Sequence, residues 1–150
     1  MEINYITDID LLIKSRLDYF ANDAHMPKEN EEIVITSLRS YFEKHLHKDD
    51  FIALSVVEND EIVAVGFMVI NEMPANGFAP TGRTGTLLNI LTYAPYRGKG
   101  YGKALIAAII EEARKRELAF LDLYATEQGE KLYKKFGFAS LAYEAMRLKL

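Results

Sequence analysis

Apolar residues at Ile9, Leu12, Ile13, Leu17 and Phe20 recur every three or four positions, the spacing that puts them on one face of a helix. Asp8 or Asp10 is placed to cap that helix, which the pattern carries to about residue 22, after a short strand at residues 3–7. His25-Met26-Pro27 breaks the rhythm. A second helix is expected over residues 30–47, with Val34, Leu38, Tyr41 and Phe42 on one side. Residues 51–57 and 62–70 are rich in β-branched and aromatic residues and flank the polar run Glu58-Asn59-Asp60-Glu61, which predicts a hairpin. The second run is apolar almost throughout, the mark of a strand covered on both faces.

Beyond it the punctuation changes. Residues 71–85 hold Pro74, Pro80 and three glycines and read as a loop. A strand over 86–93 stops at Pro95, and residues 97–102 are glycine-rich. The next helix, over 101–116, shows Leu105, Ile106, Ile109, Ile110 and Ala113 on one face and three basic residues in its last turn, where the helix dipole is negative. A strand at 120–125 and a short helix at 129–136 follow, with Gly137 as its terminating glycine. Residues 138–150 are expected to supply the last strands. This alternation predicts a mixed α/β or α+β domain, a central mixed sheet with helices on its faces. Without repeats or a linker, one domain over 1–150 is the simplest organisation.

Composition narrows the function. The 150 residues carry a formal net charge of -4 with both signs interspersed, which disfavours nucleic acid as a partner, since phosphate contacts need a basic face. There is no cysteine, so disulfides, thiolate metal sites and a thiol nucleophile are excluded. No metal-ligand spacing appears. The first ten residues hold three acids and no base, unlike a signal peptide. The smoothest apolar stretch of the second half, residues 104–110, is far too short for a bilayer. These features predict a soluble, cytoplasmic protein with no membrane partner.

The chemistry concentrates in one segment. A strand ending in Leu91-Thr92-Tyr93-Ala94-Pro95-Tyr96 feeds Arg97-Gly98-Lys99-Gly100-Tyr101-Gly102-Lys103, which opens a helix. The first N–H groups of a helix lack internal partners and carry partial positive charge, so such a junction is an anion site. The glycines allow close approach of the backbone, Arg97, Lys99 and Lys103 add charge, and a pyrophosphate is the natural occupant. On its own the turn is equally a solvated surface feature. The dinucleotide spacing G-x-G-x-x-G fails at Lys103, and the P-loop pattern fails at Ala104.

Arg97-Gly98-Lys99-Gly100-Tyr101-Gly102 resembles the R/Q-x-x-G-x-G/A signature of the GNAT acyltransferases. Leu132-Tyr133-Lys134-Lys135-Phe136-Gly137-Phe138 is similar to that family's L-Y-x-x-x-G-F ending, in the right order and with a helix and a strand between. Sequence matching is densest over residues 87–138, and the element order extends it over nearly the whole chain. The resemblance implies a GNAT fold, a sheet splayed at its fourth strand and acetyl-CoA (coenzyme A) as cofactor. Leu91, Thr92 and Tyr93 would contact the pantetheine arm through their backbones, and the amides from Gly98 to Lys103 the diphosphate. It implies direct attack of an amine on the thioester, an oxyanion donor near Leu91, and Tyr133 as the general acid for the leaving thiolate; the alternative for Tyr133 is a core aromatic.

Two departures stand out. Thr126 occupies a position where many relatives carry asparagine, and its hydroxyl is the candidate cofactor contact there. The strand 86–93 has no carboxylate to act as general base. Asn89 cannot titrate and would position acceptor or water; Asp122, Tyr124, His25, Glu72 and Tyr143 are weaker candidates, and a water chain serves equally. Acceptor specificity is expected from residues 21–30, with Asp23, His25 and Glu29, and from 71–85, with Glu72, Met73, Phe78 and Arg83, whose charges point both ways. The implied function is N-acetylation of a small-molecule amine; a protein or peptide acceptor and a non-catalytic acyl-CoA sensor are the alternatives. A homodimer through the C-terminal strands is compatible with the pattern.

Overall fold

The computed structural model describes residues 1–22 and 25–150. Five strands form one sheet in sequence order: β1 (Glu2–Tyr5), β2 (Phe51–Glu58), β3 (Glu61–Glu72), β4 (Arg83–Thr92) and β5 (Leu121–Asp122). The first four are antiparallel, and β4 and β5 are parallel. Four α-helices accompany them: α1 (Ile9–Asn22), α2 (Glu31–His45), α3 (Tyr101–Lys115) and α4 (Glu127–Lys135). The β2–β3 hairpin turns on Asn59 and Asp60, both at positive φ (50° and 63°), the backbone twist a tight hairpin requires and one that these two residue types tolerate.

The apolar periodicities resolve into two cores, one on each face of the sheet. On one face Leu105, Ile109 and Ala113 of α3 pack with Leu54, Val56, Met68 and Leu87. On the other, Leu12 and Ile13 of α1 and Phe42 of α2 pack with Phe51, Ala53, Val65 and Phe67. β3 therefore serves both cores, as its continuous apolar run predicts.

Three expectations need correction. The loop expected at 71–85 is shorter, because β3 and β4 extend to Glu72 and Arg83 and continue their ladder to that pair. β5 has two residues rather than six. Residues 139–150 form no strand: their apolar members Leu141, Tyr143, Met146, Leu148 and Leu150 are exposed. Alternation in that tail has the strand period, but the two-residue β5 offers no length of edge on which to zip.

The break in β5 makes the site. β4 and β5 pair only at Gly85–Leu121 and Thr86–Asp122, after which the two segments part. β4 also carries a bulge: Leu88 lies opposite Phe67 and Leu91 opposite Val65, so Asn89 and Ile90 together face Gly66. Among the described residues, no helix is long and apolar enough to cross a membrane.

Candidate active site

Two cavities meet where the sheet opens. The first, a cleft of about 470 Å³, runs from Ile90 and Thr92 of β4 past Arg97, Gly98, Gly100, Gly102 and Lys103 at the start of α3, and across to Thr126, Gln128, Tyr133 and Lys135 beside α4. The second, of about 620 Å³, lies between Arg16, Tyr19 and Phe20 of α1, Leu87 to Ile90 of β4, and Tyr124, Tyr133 and the tail residues Ala145, Met146 and Arg147. Ile90, Thr126 and Tyr133 line both. A molecule in one cavity would touch a molecule in the other at this junction.

One end of the cleft opens onto the start of α3. Gly100 precedes α3 in the left-handed conformation (φ +89°) and no side chain caps the helix. The N–H groups of the first turn are therefore free to bind a ligand. Gly102 brings α3 against β4, since a β-carbon there would lie 3.1 Å from the Thr92 hydroxyl. Arg97 Nε donates to the Thr92 carbonyl at 3.1 Å, which fixes the guanidinium at the cleft wall. Lys99 does not line the cleft; its ammonium sits 5.6 Å above the Tyr96 ring.

Backbone direction sorts the three residues expected to pair with a ligand. The Tyr93 N–H donates to Val63 on β3 at 3.1 Å. Backbone groups alternate in direction along a strand, so those of Thr92 face the open edge. Leu91 is buried, 1% exposed, and pairs with Val65. The Tyr93 side chain turns to α1 and donates to Asp18 at 2.9 Å; burial and then this bond push its hydroxyl up to about 12.

Asn89 is buried, 2% exposed, with φ +56°. Its Nδ2 donates to the Ser15 carbonyl at 3.3 Å, and its Oδ1 faces Arg16 Nη1 at 3.5 Å. Both ends of the amide thus have partners on α1, which tie the bulge to that helix, and Asn89 lines the second cavity. The Thr126 hydroxyl caps α4, accepting from the Gly129 N–H at 3.1 Å. Thr126 also lines both cavities. Tyr133 packs edge-on against Phe138, 5.8 Å between ring centres.

The described residues expected to set acceptor specificity do not line the second cavity. Asp23 falls outside the described residues. His25, Glu29, Glu72, Met73 and Phe78 line neither cavity. Arg83 lies at the far end of β4, donating to the Arg116 carbonyl at 3.2 Å. The face of α1 does the lining instead. Arg16, Tyr19, Phe20, Gln128 and Lys135 were not singled out by sequence reasoning. Arg16 had a signal: a charge between Ile13 and Leu17 on the apolar stripe of α1.

A family model described as the acetyltransferase (GNAT) family matches residues 15–138. The chain belongs to that family. Among solved structures, a predicted acetyltransferase from Clostridium acetobutylicum, crystallised with acetyl-CoA, is similar at 26% identity and TM-score 0.87, over 99% of this chain and 96% of that one. A GCN5-related N-acetyltransferase from Ralstonia eutropha JMP134 shares 22% identity with TM-score 0.85, over 98% and 97% of the two chains. Glucosamine-6-phosphate N-acetyltransferase from Arabidopsis thaliana shares 16% identity with TM-score 0.69, over 98% and 97%. The last two likenesses speak for the fold alone. No curated protein matches the sequence. The GNAT fold read from the two motifs, with its sheet splayed at the fourth strand, is the fold observed.

Proposed function

We propose that this GNAT protein transfers an acetyl group from acetyl-CoA to a primary amine of a small molecule, by direct attack while both are bound. The observation that carries this reading is the position of Tyr133 on the shared wall of the two cavities. The cleft suits the cofactor on three counts: an uncapped helix start, room left by Gly98, Gly100 and Gly102, and the unpaired edge of β4. Arg97, Lys103 and Lys135 supply charge for the diphosphate. Thr92, whose carbonyl accepts from Arg97, offers its N–H to an extended arm lying along that edge.

When bound, acetyl-CoA supplies an acyl group activated as a thioester. The chain's part is to orient it, hold the amine against it and manage protons. A backbone N–H at the bulge, next to Leu91, is the donor for oxyanion charge in this reading. The Tyr133 hydroxyl is the proton donor to the departing sulfur. Phenol and thiol have ordinary pKa values of roughly 10 and 8.5, so that transfer is not steeply uphill. Among the described residues no carboxylate lines the acceptor-side cavity, and the attacking amine loses its proton to water. The tail residues Ala145 to Arg147 bound that cavity, which favours a small acceptor over a peptide needing an open groove.

The test is thiol release from acetyl-CoA across a panel of amines, with Tyr133→Phe beside the parent. Turnover of a small amine, lowered strongly in the variant, is the expected result. Tight acetyl-CoA binding in calorimetry with no turnover of any amine would replace the enzyme by a sensor. No heat with acetyl-CoA would remove both.

A further inference from the structure

The acceptor-side cavity has an electrostatic character that the chain as a whole lacks. The protein has 22 acidic and 18 basic residues, yet among the described residues the cavity is lined by two arginines, Arg16 and Arg147, and by no acid. Arg16 projects from α1 in a partly buried position. Its guanidinium lies 4.5 Å from the centre of the Phe20 ring and 5.7 Å from that of Tyr19. Its polar neighbour is Asn89 Oδ1 at 3.5 Å, the outer limit of a hydrogen bond. Among the described residues no carboxylate pairs with it.

That arrangement is unusual for a charge on the apolar side of a helix. Taking a guanidinium out of water is costly unless hydrogen bonds and an opposite charge compensate. Other partly buried arginines here have such partners: Arg116 is bound by Asp49 and Glu112. At Arg16 the two aromatic rings and one amide oxygen hold the fork in place and leave most of its five N–H donors unused. Arg147 stands over the Tyr124 ring, 5.8 Å from its centre, on the opposite, tail side of the cavity. Both cations therefore face a space whose remaining walls are mainly apolar and aromatic.

We infer that the acceptor is an amine that also bears an oxyanion, which Arg16 binds while Tyr133 and the bulge of β4 hold the amine end. A planar guanidinium matches a carboxylate or a phosphate through paired N–H donors, so the shared chemistry is an anionic oxygen group on an aminated small molecule. The apolar walls at Tyr19, Phe20, Leu87 and Met146 accommodate the carbon body between the two ends. Asn89 is then a positioning residue: its side chain orients Arg16 and locks the bulge to the Ser15 carbonyl. This inference rests on the acetyltransferase reading for the amine end, and the anion site is tested separately from it.

The experiment compares matched pairs. Amino acids are assayed against their amides and decarboxylated amines, and phosphoethanolamine against ethanolamine, by kcat/KM for acetyl-CoA-dependent thiol release. The anionic member of at least one pair is expected to be preferred about 10- to 100-fold, the worth of a charge-assisted hydrogen bond pair. In Arg16→Ala the ratio within the pair collapses toward one, and Arg16→Lys restores part of it. Preference within the carboxylate or the phosphate pairs identifies which oxyanion is used. Neutral members turned over as well as anionic ones, or a ratio indifferent to Arg16→Ala, would overturn the inference. Calorimetry on the coenzyme A complex supplies the arm that needs no turnover. N-acetyl amino acids should bind about 10-fold or more tighter than N-acetyl amino-acid amides, or acetylated phosphoethanolamine tighter than acetylated ethanolamine. Equal binding within every pair sinks the anion site even if acetyl transfer is real; selective binding without turnover sinks the enzyme reading and keeps the site.

Discussion

The side chain of Ile90 fills the space that a side chain on Gly66 would need. A β-carbon built on Gly66 would lie 2.8 Å from Ile90 Cδ1 and 2.9 Å from Ile109 Cδ1. Gly66 is the single residue of β3 that faces the bulge of β4, so its lack of a side chain lets Ile90 drop inward while α3 stays close. Gly66→Ala is expected to cost about 1–3 kcal/mol through overpacking, a fall of roughly 2–4 °C in Tm for each kcal/mol in a chain of this size. Because Ile90 also lines both cavities, acetyl-CoA affinity should fall with stability. A variant that loses Tm yet keeps full affinity would show that the bulge does not depend on this packing.

Tyr133→Phe separates the hydroxyl from the ring. The ring's edge-on contact with Phe138 is kept, so the variant should fold and still bind acetyl-CoA. Loss of a positioned proton donor is expected to lower kcat by about 10²- to 10⁴-fold. A drop in affinity with kcat unchanged would instead assign the hydroxyl to cofactor binding.

How far the sequence could be read depended on which forces wrote it. Ile62–Ile70 was legible as a strand by its unbroken apolar run and Leu105–Ala113 as a helix by its period, because burial acts directly on residue type. The turn that opens α3 was legible because left-handed backbone at Gly98 and Gly100 favours glycine. The tail at 139–150 was not: its alternation is that of a strand, and pairing depends on an edge that only the short β5 could provide. Asn89 was legible as a polar residue in an apolar strand, but its contacts with α1 depend on a bulge set by the partner strand. Arg16 stood in plain view on an apolar stripe, but its neighbours across the cavity come from the other end of the chain.

Gly100 offers a test of the cleft that involves no charged side chain. A β-carbon there meets nothing within 4 Å, so substitution acts through the backbone alone. At φ +89° an L-residue is strained by about 1–2 kcal/mol. Relief of that strain would rotate the first N–H groups of α3. Gly100→Ala should therefore weaken acetyl-CoA binding several-fold. Gly77→Ala, in open space without positive φ, is the control and should bind as the parent does. The same calorimetry repeated at rising salt should show affinity falling, since Arg97 and Lys103 act as partly screened charges. Affinity indifferent to both Gly100→Ala and salt would place the diphosphate elsewhere.

Glu112 ties the far side of the sheet together and makes stability depend on pH in an acid window. Its carboxylate is 7% exposed and accepts from Lys115 at 2.8 Å, from the Tyr5 hydroxyl on β1 and from the Arg116 guanidinium. Burial by itself would raise its pKa; the Lys115, Tyr5 and Arg116 donors outweigh burial and hold it at about 2, below the ordinary 4.5. The folded state therefore binds the proton more weakly than the unfolded chain does. The stabilisation is complete above about pH 4.5 and is lost as pH falls toward 2. A depression of that size corresponds to about 3 kcal/mol. Glu112→Gln should remove it, lowering the urea midpoint at pH 7, with the gap between parent and variant closing progressively below pH 4.5. The same gap at pH 3 and pH 7 would mean that the carboxylate's charge contributes nothing and that only its shape is needed.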